Sequence, residues 1–218
     1  WVLHRLKELD VLLEKSVKNF TFQAFYSELH TFCSSDLSAF YFDIRKDTLY
    51  CDPIDSKKRK STILLLNIIL NSLLKWFAPI LSFTTEEIYR LLHKNNKSIH
   101  LENFLIFPNN FENKKLYEKW EELIKIRNIC NINIEEKRAN KEIGSSLEAS
   151  LKININKELL NISKNIDFAE LCITSNAEIS EHKEDSIIVN TVKAKGNKCS
   201  VCWKIKEGKC SRHTCPNT

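Results

Sequence analysis

The sequence predicts a mainly α protein: an antiparallel helix bundle, then a small α/β unit, then a short cysteine-rich knuckle. Three observations carry this prediction. Over residues 1–142 apolar side chains recur at three- and four-residue steps, the period of one helical face. Over residues 143–194 the period drops to two, that of a half-buried strand. Residues 195–218 hold Cys199, Cys202, Cys210, His213 and Cys215 in a lysine-rich setting.

In the first region Leu3, Leu6, Leu9, Leu13 and Val17 mark a helix over 1–17, and Phe22, Phe25, Leu29 and Phe32 mark a second. A break is expected near Ser34 and Ser35, then a short helix over 36–43. Asp47 and Asp52-Pro53 indicate a loop before a long helix over 56–77, which Pro79 ends or kinks. Residues 63–81 are apolar enough to resemble a membrane span. Asn67, Asn71 and Lys75, however, recur at every fourth position, which makes one polar stripe and an amphipathic helix of a soluble bundle. Thr84 and Glu87 have the spacing of a capping box, so a helix is expected over 85–93. Residues 99–107, with Pro108, read as a loop containing an extended piece. A further helix over 114–138 has Leu116, Trp120, Leu123, Ile126 and Ile134 as its buried positions.

Beyond Gly144, Leu147, Ala149, Leu151, Ile153 and Ile155 alternate with polar residues as a strand. A short helix over 157–163, a strand over 168–174 and a strand over 186–194 complete the expected α/β unit.

The chain has 218 residues, 43% of them hydrophobic, which is enough for one large core or two small ones and excludes a disordered tail. It begins with Trp1 and contains no Met, so it reads as part of a longer protein. Cys33, Cys51, Cys130 and Cys172 lie singly in apolar segments. They read as reduced core cysteines of a cytoplasmic protein rather than a disulfide framework. The net charge of +5 is compatible with a polyanionic partner without requiring one. Cations concentrate at Lys57, Lys58, Arg59 and Lys60, and again between Lys193 and Arg212, where Glu207 is the one acidic residue. Taken alone, each run reads most simply as a solvated face.

The terminal knuckle carries the clearest chemistry. A tetrahedral zinc ion takes four Cys or His ligands, and two close pairs across a short loop supply them. Cys199 and Cys202 form the first pair and Cys210 the third ligand. The fourth is Cys215 or, in the alternative, His213. One zinc per chain is expected, in a closed and structural site. A redox dithiol is the competing reading, but such motifs open a helix after a strand, whereas here a lysine-rich loop follows. Around the ion stand Trp203, Lys198, Lys204, Lys206, Lys209 and Arg212. Trp203 and Arg212 are of the types on which unpaired bases stack, and the lysines of the type that neutralises phosphates. For Trp203 the alternative is that it only covers the metal site. Lys57, Lys58, Arg59 and Lys60 sit at a helix start, where cations oppose the helix dipole, which favours an anion-binding role for them.

Four stretches, in order, resemble the bacterial isoleucyl-tRNA synthetase family. They are Tyr41-Phe42-Asp43-Ile44-Arg45-Lys46-Asp47-Thr48-Leu49-Tyr50-Cys51-Asp52; Pro79-Ile80-Leu81-Ser82-Phe83-Thr84-Thr85-Glu86-Glu87; Ile143-Gly144-Ser145-Ser146-Leu147-Glu148-Ala149; and Lys198-Cys199-Ser200-Val201-Cys202-Trp203. The resemblance implies the anticodon-binding helical bundle of a class I synthetase with its zinc-binding tail, gripping tRNA-Ile. It implies no membrane or DNA partner and a monomeric full enzyme. It also implies an ATP-dependent ligase that edits valine. The family's two catalytic signatures are absent from this chain, so ATP and Mg belong to a catalytic domain elsewhere, and no catalytic residue is assigned. The chain departs from the family's pattern in its second ligand pair, which is Cys-x4-Cys or Cys-x2-His after only seven residues rather than a second Cys-x-x-Cys after a longer loop. Valyl, leucyl and methionyl enzymes share the helical domain and stand as alternatives, as does a non-enzymatic zinc-containing interaction module. A DNA repair glycosylase ending in a zinc finger is disfavoured by the helical first region.

Overall fold

The structure is a computed structural model that describes residues 1–94, 97–208 and 210. The chain forms two compact units: Trp1–Asp36 with Ile54–Asn113, and Leu37–Pro53 with Lys114–Thr218.

The first unit is built from helices α1 (Val2–Asn19), α2 (Phe22–Thr31), α4 (Lys57–Phe77) and α5 (Ser82–Leu92). In α1 the apolar period buries Leu6, Leu9 and Leu13, but the stripe ends on Ser16, and Val17 is 45% exposed. Phe25 of α2 meets Trp76 of α4 edge-on, with ring centroids 5.9 Å apart, and Tyr26 donates its hydroxyl to the Trp76 carbonyl at 3.3 Å. Arg5 is largely enclosed and bonds Glu8, Glu28 and Asp36 at 2.7, 2.6 and 2.9 Å. Burial opposes its charge, but the three carboxylates outweigh it and raise its pKa above the ordinary arginine value. Ser56 caps α4 by accepting from the Arg59 amide. As expected, Asn67 lies on the exposed side, and Lys75 reaches the Asn103 carbonyl at 2.7 Å. Among the described residues no helix is long and apolar enough to cross a membrane.

Three expectations for the helical stretches are corrected. No break occurs near Ser34 and Ser35. A π-helix, Phe32–Phe42, follows α2 directly. Ser34 donates its hydroxyl to the His30 carbonyl at 2.9 Å and so sits within a helix rather than ending one. Asp47 is not in a loop, since α3 (Asp43–Cys51) runs through it. That helix stops at Asp52, which takes the extended conformation that the following Pro53 favours. The capping box of Thr84 and Glu87 does not form, because α5 already starts at Ser82. Glu86 takes the bonding role, accepting from the Ser98 hydroxyl and the Ile99 amide at 2.8 and 2.9 Å.

The second unit is organised on α6 (Lys114–Ala139) and a sheet of order β2-β1-β3. Strand β1 (Ala149–Ile155) pairs in parallel with β2 (Asn176–Glu181) and antiparallel with β3 (Ile188–Lys193). Ala149, Leu151, Ile153 and Ile155 are fully buried, as the two-residue alternation requires. Leu123, Ile126 and Ile134 of α6 are buried, whereas Leu116 and Trp120 are half-buried. Helix α7 (Lys157–Ser163) lies where expected, capped by Asn156. The strand expected over 168–174 is instead a helical turn, α8 (Phe168–Leu171), which buries Phe168, Leu171 and Cys172. Those three positions follow a helical spacing that a short apolar run does not distinguish from a strand. The parallel strand falls in the polar segment that follows. Arg127 of α6, 8% exposed, donates to the Leu171 carbonyl at 2.9 Å and stands 5.4 Å from the Phe40 ring. The unit ends in a two-stranded hairpin, β4 (Asn197–Lys198) with β5 (Ile205–Lys206).

Candidate metal centre

The β4–β5 hairpin is too small to own an apolar core, and what it buries is sulfur. Cys199, Cys202 and Cys210 are 7, 5 and 6% exposed, and their sulfur atoms all lie within 4.8 Å of one another. Cys202 and Cys210 are 3.8 Å apart, too far for a disulfide bond. Sulfurs held about 2.3 Å from a tetrahedral zinc ion lie about 3.8 Å from each other, so the cluster fits a thiolate-bound metal. Cys215, His213, Lys209 and Arg212 lie outside the described residues.

The turn that carries the first pair is fixed by its backbone. The Cys199 amide donates to the Lys204 carbonyl and the Trp203 amide to the Cys199 carbonyl, each at 3.0 Å. Gly196 enters the hairpin at φ 119°, and a Cβ there would stand 2.1 Å from the Lys206 carbonyl oxygen, so only glycine fits. Trp203, 59% exposed, closes the turn in the left-handed region, φ 61°. A bulky side chain held in that region costs on the order of 1–3 kcal/mol, which glycine would avoid. Lys198 places its ammonium 6.0 Å from the ring centroid, within cation–π range.

Two residues of the YFDIRKDTLYCD stretch join the site, and neither was assigned to it from sequence. Cys51, at the end of α3 and read there as a lone core cysteine, is buried in one cluster with Cys199, Cys202 and Cys210. Asp47 faces Lys204, carboxylate to ammonium at 3.8 Å. Lys204 was expected to face phosphates. It is only 9% exposed, and its tie to Asp47 takes it out of the set of outward-facing lysines. Lys198 is exposed and Lys206 half-buried. A cavity of about 350 Å³ opens beside Trp203, lined by Asp43, Asp47, Tyr50, Ile173 and Val201 among others, and Tyr50 is 79% exposed. Lys57, Lys58 and Lys60 are exposed and Arg59 half-buried at the start of α4, in the first unit. The only sequence signal for Cys51 and Asp47 was their place in a stretch matching the family. Nothing in their spacing linked them to cysteines so far along the chain.

The model of the anticodon-binding domain of tRNA ligases matches residues 1–154. Among curated proteins, the isoleucine-tRNA ligase of Pelagibacter ubique is 60% identical over 98% of this chain and 24% of its own length. Those of Bartonella henselae and Bradyrhizobium diazoefficiens are 38 and 39% identical over 99 and 94% of the chain, and 23 and 22% of their own lengths. The chain thus spans about a quarter of the length of the curated relatives it matches. With a helical first region and a family match over most of its residues, the chain belongs to the anticodon-binding domain family of tRNA ligases.

Proposed function

We propose that these residues are the anticodon-recognising part of an isoleucine-tRNA ligase, an enzyme that joins isoleucine to tRNA-Ile with ATP and removes misattached valine. The observation that carries this reading is similarity to isoleucine-tRNA ligases over nearly the whole chain, through both the helices and the cysteine knuckle. The chemical steps, with their ATP and Mg, belong to segments outside these 218 residues. Residues 1–142 act as the helical anticodon-binding part, 143–194 as a junction and 195–218 as the knuckle. The enzyme works in the cytoplasm as a monomer, with no membrane or DNA partner.

In this reading one zinc is held by Cys199, Cys202, Cys210 and a fourth ligand, Cys215 or His213. The ion supplies folding energy, about 10–16 kcal/mol for comparable structural sites, which the small hairpin cannot draw from apolar burial. Its role is to fix Trp203. The exposed indole, beside the cavity that Tyr50 also lines, receives an unstacked anticodon base. Arg212 offers a second stacking plane. Lys198, Lys206 and Lys209 neutralise phosphates near the loop, and Lys57, Lys58, Arg59 and Lys60 lie along the stem. Lys204, paired with Asp47, positions the knuckle.

The test is metal analysis of the purified chain together with binding of tRNA-Ile and a non-cognate tRNA at two salt concentrations. One zinc per chain and a preference for tRNA-Ile are expected. Trp203→Ala should weaken binding by one to two decades, the about 1–3 kcal/mol of one stacked base. Equal binding of any polyanion would refute the recognition role, and absence of zinc the metal assignment.

A further inference from the structure

The open face of the three-stranded sheet carries a feature of which the anticodon reading uses only Lys206. Strand β1 turns Leu151 and Ile153 inward, both fully buried, and leaves Ser150 and Lys152 on the opposite face. Register brings Asn176 and Glu178 of β2 beside them on one side and Val192 of β3 on the other. With the β4–β5 hairpin as its second wall, this face encloses a cleft of about 590 Å³. Four lysines line it, Lys152, Lys193, Lys195 and Lys206, against two carboxylates, Glu178 and Glu207. Among the described residues none of the four lysines forms an ion pair.

We propose that this cleft is a second RNA-binding site, which tracks the sugar–phosphate backbone of the tRNA whose anticodon the knuckle reads. The proposal rests on the tRNA-binding reading above. Charge and shape carry it. Four cations around one concavity focus positive potential where a polyanion can lie, and Ser150 and Asn176 add neutral hydrogen-bond donors. Among the described residues no aromatic side chain lines the cleft, in contrast to the Trp203 side of the same knuckle. Its walls are fixed before any ligand arrives. The Ile205 amide donates to the Ser175 hydroxyl at 2.6 Å, joining the hairpin to the sheet, and Gly196 lets the chain entering the hairpin pass close to Lys206. The two glutamates leave the lining at net +2, which suits a backbone held loosely through several phosphates rather than one anion gripped tightly.

The experiment uses the full zinc-loaded chain and a transcript of tRNA-Ile, with affinity measured across a salt series. The triple variant Lys152→Gln, Lys193→Gln, Lys195→Gln, which leaves Lys206 in place, should lower the slope of log K against log salt by roughly 2 to 3, since each phosphate contact contributes about 0.7–0.9. Trp203→Ala should weaken binding and leave that slope unchanged. Should the triple variant lose zinc or its melting transition, Lys195→Gln alone repeats the test with a slope change of about 0.7–0.9. A parental slope in a folded variant overturns the cleft while the anticodon reading stands. A parent chain that binds polyglutamate as well as tRNA overturns both, and marks the cleft as a site for acidic polypeptide.

Discussion

The first unit and the terminal knuckle of the second bury different things. In the first, the interior is made of large apolar side chains such as Phe25, Phe32, Trp76, Leu6 and Leu29, each no more than 1% exposed, so area removed from water holds the helices together. The knuckle of the second unit has strands two residues long and an interior of four cysteines, Cys51, Cys199, Cys202 and Cys210. Thiols offer little apolar area but make good metal ligands. The first unit therefore draws its stability from surface burial, and in the proposed reading the knuckle draws its own from ligand bonds. Agents that attack one should spare the other.

Removing a ligand gives the widest separation. Cys199→Ser should release the metal and, with it, the about 10–16 kcal/mol that such a site supplies. Amide protection at Cys199 and Trp203 should vanish, while the melting of the first unit stays where it was. A mutant with parental zinc content and terminal amide protection would contradict this. Trp76→Ala is the converse. Loss of an indole that is 1% exposed and in contact with Phe25 and Phe107 should cost the first unit about 3–5 kcal/mol in denaturant titration, with zinc content unchanged. A smaller effect is expected from Arg127→Met, which removes the donor to the Leu171 carbonyl. It should cost the second unit about 1–3 kcal/mol without metal loss, separating the sheet's own stability from that of the knuckle.

The smallest effect comes from acid. The Ser98 hydroxyl holds the Glu86 carboxyl below its usual pKa, helped by the Ile99 amide and Arg90. A carboxylate whose pKa is depressed by folding stabilises the fold above its unfolded value, and the contribution is lost as pH falls through the folded one. Amide protection at Ile99 should therefore decline below the ordinary glutamate range, and Glu86→Gln should abolish that pH dependence. A variant that titrates like the parent would remove Glu86 as the cause.

Local pattern was legible where an element repeats its own period. The helices α1, α4 and α6 and the strand β1 all appear close to their expected bounds, because three or more turns, or seven alternating residues, state the period several times over. The pattern failed where it was too short or was answered from elsewhere. Phe168, Leu171 and Cys172 form one helical turn, too brief to tell from a strand. Strand β2 has a largely exposed, polar sequence, and it is a strand because β1 offers it a parallel edge. Thr84 and Glu87 had the chemistry of a cap, but the helix began two residues before Thr84.

By itself the sequence determined the helical first region, the change of period after Gly144, and the close spacing of Cys199 and Cys202. Each of these is written within a few neighbouring residues. Only the tertiary structure decided that Cys51 would join the buried thiols, that Asp47 would claim Lys204, and that lysines from β1, from the end of β3 and beyond it, and from β5 would line one cleft. Those meetings join residues far apart in the chain. They depend on which packing buries the apolar faces and leaves buried polar groups partnered, a condition set by the whole unit and not by any one segment.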